Sequence, residues 1–175
     1  MGSPSTLDAT IEALSFCDED TESADAGQLV RMKLKGVDEA RVAQGMVICD
    51  DGLAGVTEAT AQLVFTFERG IVCAGHKAMC HAHTCVEEAT ITDLVCTVDK
   101  KTGCVASRRP RFVRGGEVAI ARISLTRPIC IQPLTEDGKF GRIVLRVDSK
   151  TVAFGKILSI QNENKQGCDA PYPKV

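Results

Sequence analysis

What most constrains this chain is the recurrence of short strand-like runs, each closed off by turn-forming residues. The run 29–35 shows the pattern: Val30, Met32 and Leu34 alternate with Arg31, Lys33 and Lys35, the two-residue period of a strand with one buried face. Further runs of strand character lie at 10–16, 46–49, 60–67, 77–84, 89–98, 117–125, 129–132, 142–147 and 151–160. Between them stand Asp50-Asp-Gly52, Asp99-Lys-Lys-Thr-Gly103, Arg114-Gly-Gly116 and Glu136-Asp-Gly138, text rich in the residues that reach turn conformations. Only 37–43 hints at a helical turn. An all-β chain is predicted, a sandwich or a closed barrel, and closure has the advantage of removing exposed sheet edges.

Residues 51–58, with Gly52 and Gly55, interrupt the strand text and read as a linker. Residues 1–50 hold too few strands to close a barrel, whereas 59–160 hold enough for a small antiparallel one. Residues 161–175 are polar, carry Pro171 and Pro173, and predict a disordered tail. The 175 residues are 44% hydrophobic and 25% charged, the composition of a folded globular chain. No apolar run is long enough to cross a bilayer, and the N-terminus lacks the basic and apolar segments of a secretory signal. The nine cysteines are odd in number and form no Cys-x-x-Cys pair. Cys49, Cys80, Cys96 and Cys130 sit inside apolar strand text, which suits reduced thiols acting as small hydrophobes in the cytoplasm.

The tempting chemical cluster is His81, His83 and Cys85, on one face if this stretch is a continuous strand, with Cys80 opposite. Zinc needs ligands at ~2.0–2.3 Å, but same-face strand residues stand ~6.6 Å apart. One ion can take two of them at most, so they read as packing and hydrogen-bonding residues, and no metal site is expected. Cys85 with His83 lacks a third group to orient the pair as nucleophile and base. The pairs Glu87–Glu88 and Asp18–Asp20 read as loop neighbours, whereas paired acid–base catalysts converge from separate elements. A phosphate-cradling loop fails too: Gly138-Lys139 is followed by Phe140, and Pro133 stands where the upstream glycine belongs. No catalytic residue is assigned.

Interaction surfaces fare better. The formal net charge of −2 argues against whole-surface attraction to nucleic acid, yet charge is unevenly spread. Asp18, Glu19, Asp20, Glu22 and Asp25 make an acidic loop, while Lys100, Lys101, Arg108, Arg109, Arg111 and Arg114 fall together with no acid among them. That basic loop suits phosphate or an acidic partner surface; a solvated hairpin is the plainer alternative. The segment Gly141, Arg142, Ile143, Val144, Leu145, Arg146 puts Arg142, Val144 and Arg146 on one face and Ile143 and Leu145 on the other. Arginines beside an exposed apolar residue are the composition of a protein-binding hot spot, or of an edge strand guarded by charge.

Three segments in order, His81-Ala-His-Thr-Cys-Val-Glu-Glu-Ala-Thr-Ile-Thr-Asp-Leu94, Arg109-Pro-Arg-Phe-Val113 and Gly141-Arg-Ile-Val-Leu-Arg146, resemble the last β-barrel of translational GTPases of the elongation-factor-one-alpha superfamily. Within it the chain is most similar to the GTP-binding (class II) subunit of the eukaryotic peptide-chain release factor, from about Leu7 to Ile160. The family's Val-Asp-Lys-Lys-Ser/Thr-Gly hairpin is matched at 98–103, its Ile-Ala-Arg at 120–122 and its Gly-Lys-Ile/Val-Leu at 155–158; residues 34–37 and 45–50 resemble the end of the preceding barrel. The resemblance implies a non-catalytic docking barrel that binds the class I release factor, with transient ribosome contact, and places GTP and its Mg²⁺ in a domain absent from this chain. It also implies a fragment or truncated product of a longer factor. The family motif Gly-Arg-Phe-Thr-Leu-Arg-Asp at the class I contact reads here Gly141, Arg142, Ile143, Val144, Leu145, Arg146, Val147, which is more apolar and loses an acid. The alternative is an elongation-factor-like barrel that binds tRNA through the segment from Lys100 to Arg114.

Overall fold

The computed structural model describes residues 7–50, 53–135 and 138–161. Residues 162–175 of the tail expected over 161–175, and residues 51, 52, 136 and 137 of two expected turns, lie outside them, while Gln161 ends a strand. Apart from one short 3₁₀ turn, the regular elements of the described chain are all strands, in two compact units, Met1–Ala43 and Gln44–Val175.

In the first unit, β1 (Thr10–Phe16) lies between β2 (Glu19–Thr21) and β3 (Arg31–Lys35), antiparallel to both. Cys17 and Asp18 both have positive φ, 52° and 64°, the tight-turn geometry that matches the twist of a hairpin. A 3₁₀ turn at Glu39–Arg41 fulfils the expected helical turn; the Asp38 carboxylate caps it by accepting from the Ala40 amide at 3.1 Å. Its ion pairs, Arg31–Asp18 at 3.2 Å and Lys33–Glu12 at 2.8 Å, are exposed and contribute little. None of the described residues from 7 to 43 is buried.

The second unit contains β4 (Val56–Phe65), β5 (Ile71–Val72), β6 (Lys77–Ala82), β7 (Cys85–Val98), β8 (Val105–Arg108), β9 (Val113–Arg114), β10 (Val118–Ile129), β11 (Arg142–Val147) and β12 (Lys150–Gln161). Six of them form a ring in the order β10-β4-β12-β11-β6-β7, closed by β7 pairing back onto β10, and every neighbour is antiparallel. This is the predicted closed antiparallel barrel. The long β7 also pairs with β8 at its far end, and β5 with β9 makes a separate ribbon.

Alternation explains the closure. On β4 the inward positions Val56, Ala59, Ala61, Leu63 and Phe65 are all buried, and they meet Ile91, Leu94, Ile123, Ile143, Leu145 and Ile157 in one core. Ala119, Ala121 and Ala153 supply the small partners among these large side chains, which lets a narrow barrel fill without voids.

Several boundaries differ from the sequence reading. The strand expected from Thr60 starts at Val56, inside the stretch read as a linker, because Val56 is buried and pairs with Ile129. No strand forms at 46–49. That segment instead follows Gly45, whose approach to the rim is so close that an added Cβ would stand 2.6 Å from the Cys85 Cβ. The run 77–84 breaks at the hairpin tip, where His83 has φ 43°. The run 129–132 is the end of β10 followed by an extended crossing segment.

Two outcomes are expected. Leu63→Ala, which empties a fully buried site, should cost about 2–5 kcal/mol in denaturant unfolding. Limited proteolysis should cut within residues 1–50 first and leave the ring as a resistant fragment, since a three-stranded sheet with no buried side chain has little to hold it; resistance of the first unit would contradict this.

Candidate functional site

β11 is flanked on both sides, by β12 and by β6, so the reading as a charge-guarded edge strand is corrected. Its alternation sorts the six candidate residues. Gly141, Ile143 and Leu145 are buried, Arg142 is exposed, and Val144 and Arg146 are half-buried on the outer face. The inward three are packed inside the unit. Gly141 has a specific reason to lack a side chain: an added Cβ would sit 2.5 Å from the Leu134 Cα and 2.8 Å from its nitrogen. The crossing segment is stitched down there, with the Leu134 amide donating to the Ile157 carbonyl at 3.1 Å and the Ile157 amide to that of Gly141 at 2.8 Å.

The strand register aligns five outward side chains into one row across five neighbouring strands. Val64 pairs with Phe154, Phe154 with Val144, Val144 with His81, and His81 with Val86. Phe154 is 50% and Val86 45% exposed. Cations flank the row. On one side Gln62, Lys156 and Arg142 are in register; on the other, Arg146, Met79 and Glu88. Gln62, Val64, Leu134, Arg142, Phe154, Gly155 and Lys156 line a shallow depression of about 320 Å³.

The two arginines differ. Arg146 is anchored, donating from Nη2 to the Ser149 carbonyl at 2.7 Å and so bracing the β11–β12 turn, where Asp148 and Ser149 have φ of 47° and 67°. Arg142 has an exposed side chain beside the depression. Sequence reading missed Phe154, Val64, Met79 and Val86. Phe154 had a signal: it alternates with the inward Ala153 and Ile157.

Comparison with known proteins fixes the relationship. The family model described as GTP-eEF1A C-terminal domain-like matches residues 58–158, which span the ring from β4 to β12. The chain belongs to this family. It is 30% identical over 156 residues to the eukaryotic peptide chain release factor GTP-binding subunit of Kluyveromyces lactis, covering 86% of this chain and 22% of that protein. Against the subunit of the same name from Dictyostelium discoideum it is 27% identical, covering 83% and 27%. A crystal structure of sup35 complexed with GDP superimposes with a TM-score of 0.77 at 27% identity, over 88% of this chain and 38% of that one. The chain thus spans about a fifth to a quarter of the length of these curated relatives.

In this member of the GTP-eEF1A C-terminal domain-like family, the histidine–cysteine text is structural. His83, at the hairpin tip, donates from Nε2 to the Cys130 carbonyl at 3.0 Å and stacks edge-on against Phe140. The tip turns His83 away from His81, so the expected shared strand face does not form. Among the described residues no group of three or more His, Cys, Asp or Glu is placed to hold a metal ion. Glu87 and Glu88, read as loop neighbours, lie on β7 with opposite faces: Glu87 is buried and ion-paired to Arg127, while Glu88 pairs with Lys77 at 2.9 Å on the surface. Burial pushes the Cys80 thiol up to about 12, with neighbouring Cys85 adding to the shift. Cys85, Cys96 and Cys130 are raised as well, chiefly by burial, the opposite of what a nucleophilic thiol requires.

The basic residues keep to other strands. Lys100 and Lys101 sit in the β7–β8 turn, Arg108 ends β8, Arg109 and Arg111 lie in the link to β9, and Arg114 is on β9; all six are exposed.

Gly141→Ala should lower stability by about 1–3 kcal/mol through the clash with the Leu134 backbone, read from the denaturation midpoint. Alkylation at about pH 8.5, followed by peptide mass spectrometry, should label Cys17, Cys73 and Cys104 and spare Cys80 until the protein is unfolded. Because folding raises the Cys80 pKa, its contribution to stability is complete below the ordinary 9.0 and is lost as pH climbs toward about 12.

Proposed function

We propose that this chain is the docking part of a translation termination GTPase and that the outer face around β11 receives the class I release factor, in the cytoplasm and with transient ribosome contact. The observation that carries this reading is the apolar row Val64–Phe154–Val144–His81–Val86, bordered by the exposed Arg142 and Lys156. An aromatic anchor beside a depression, rimmed by guanidinium and ammonium groups, suits an apolar ridge on a partner whose margins are acidic. The similarity to release-factor GTP-binding subunits supports a partner from the translation termination machinery.

On this reading the chain performs no covalent chemistry; GTP and its Mg²⁺ belong to the part of the relatives that it does not span. Residues 1–50 stand for the end of the preceding barrel. The departures from the family motif also acquire a meaning. Ile143 replaces phenylalanine at a buried position, so that exchange alters the core and leaves the contact alone. Val144 replaces threonine on the outer face and makes the row more apolar.

The test is titration calorimetry or pull-down with the class I factor. Arg142→Glu should weaken binding at least about tenfold, and Phe154→Ser similarly, as for the central residues of an interface. Undiminished binding by both folded variants would remove the assignment.

A further inference from the structure

The sheet of the first unit is a second surface, on strands that the docking reading does not use. Its two faces are unlike. Ile11 is in register with Leu34 and Leu14 with Met32, and Phe16 follows Leu14 by two residues, so these five side chains share one face. The bulge between Ile11 and Ala13 keeps them together. Its extra residue, Glu12, goes to the other face and pairs with Lys33 at 2.8 Å. Ile11, Phe16 and Met32 are 46%, 39% and 38% exposed, so the apolar face is open. Each margin of the sheet carries one sign of charge. Asp18, Glu19, Asp20 and Glu22 lie on and beside β2, and Arg31, Lys33 and Lys35 lie on β3. Among the described residues neither margin has a strand beside it. The ion pairs Arg31–Asp18 and Lys33–Glu12 leave Glu19, Asp20, Glu22 and Lys35 with none among the described residues.

Three strands are too few to close over an apolar face, and the ring of the larger unit closes with six. Two copies of the sheet supply six. A two-fold axis that set like margins together would bring acid to acid and base to base. The two-fold that sets β3 of each copy beside β2 of the other does the reverse, twice over. It also turns the five apolar side chains of each copy inward and leaves no margin unpaired. A foreign partner would have to supply both charges at the spacing of this sheet; a second copy carries them by construction. We propose that two copies of this chain associate through the first-unit sheet, the basic β3 margin of each lying against the acidic β2 margin of the other.

The test is sedimentation equilibrium of the whole chain from about 1 to about 100 μM, a span that brackets the affinity of a small interface. The weight-average mass should rise from the 18.7 kDa of the monomer to twice that and stop there. Phe16→Glu combined with Met32→Glu, which puts charge on the apolar face, should weaken dimerisation at least about tenfold. Both sites are partly exposed, and circular dichroism checks the fold. Lys33→Glu with Lys35→Glu should weaken it about tenfold by setting acid against acid, and Glu19→Lys with Asp20→Lys should do so by setting base against base. Mixed in equal amounts, the two charge-reversed chains should recover the dimer, since each then meets margins of opposite sign. Reversing an exposed charge on the larger unit, Glu68→Lys, should change nothing. The protease cuts expected within residues 1–50 should slow as protein concentration rises, because association protects the sheet by mass action. A chain still monomeric at about 100 μM would overturn the proposal and leave the face to a different partner. So would a mass that climbs past the dimer, a dimer indifferent to the apolar-face variant, or folded charge-reversed chains that stay monomeric when mixed.

Discussion

Everything in the larger unit depends on β7 returning to pair with β10. Without that ladder the six strands would form an open sheet with two unpaired edges, each a template for aggregation. With it, every inward side chain shares one core and each outward side chain takes a fixed place against its neighbours. Antiparallel pairing sets the places: a slip of one residue would send Phe154 inward and Ala153 outward. The outer row is therefore a product of closure and register together, and it exists only because the core permits a single alignment.

The sequence showed the architecture more fully than the site. Alternation of small and large apolar residues with polar ones gave the strands at 10–16 and 142–147 to the residue, since those runs are bounded by turns of strong local preference. It gave no strand at Val56, because the burial of that residue depends on Ile129, far along the chain. It mistook 46–49 for a strand because an apolar run looks the same whether it pairs in a sheet or lies along a rim. The histidine–cysteine stretch misled in the same way: nothing in its local text marks His83 as the tip of a hairpin, although a two-residue connection reverses the chain there.

The candidate faces were legible in part. Arg142, Val144 and Arg146 were placed outward by the two-residue period alone. That Arg146 is occupied by the Ser149 carbonyl while Arg142 stands beside a depression is a tertiary matter. Phe154 was hidden by its neighbours, since a phenylalanine between alanine and glycine reads as the core residue of the three. In the folded chain the small residues face in, where space is short, and the ring faces out. The basic segment, by contrast, was visible from charge alone.

The row on the outer face has one further consequence. Its five side chains come from positions 64, 81, 86, 144 and 154, each on a different strand. No single strand carries more than one of them. The surface is a discontinuous epitope that vanishes on unfolding, so a synthetic strand cannot compete for whatever it holds.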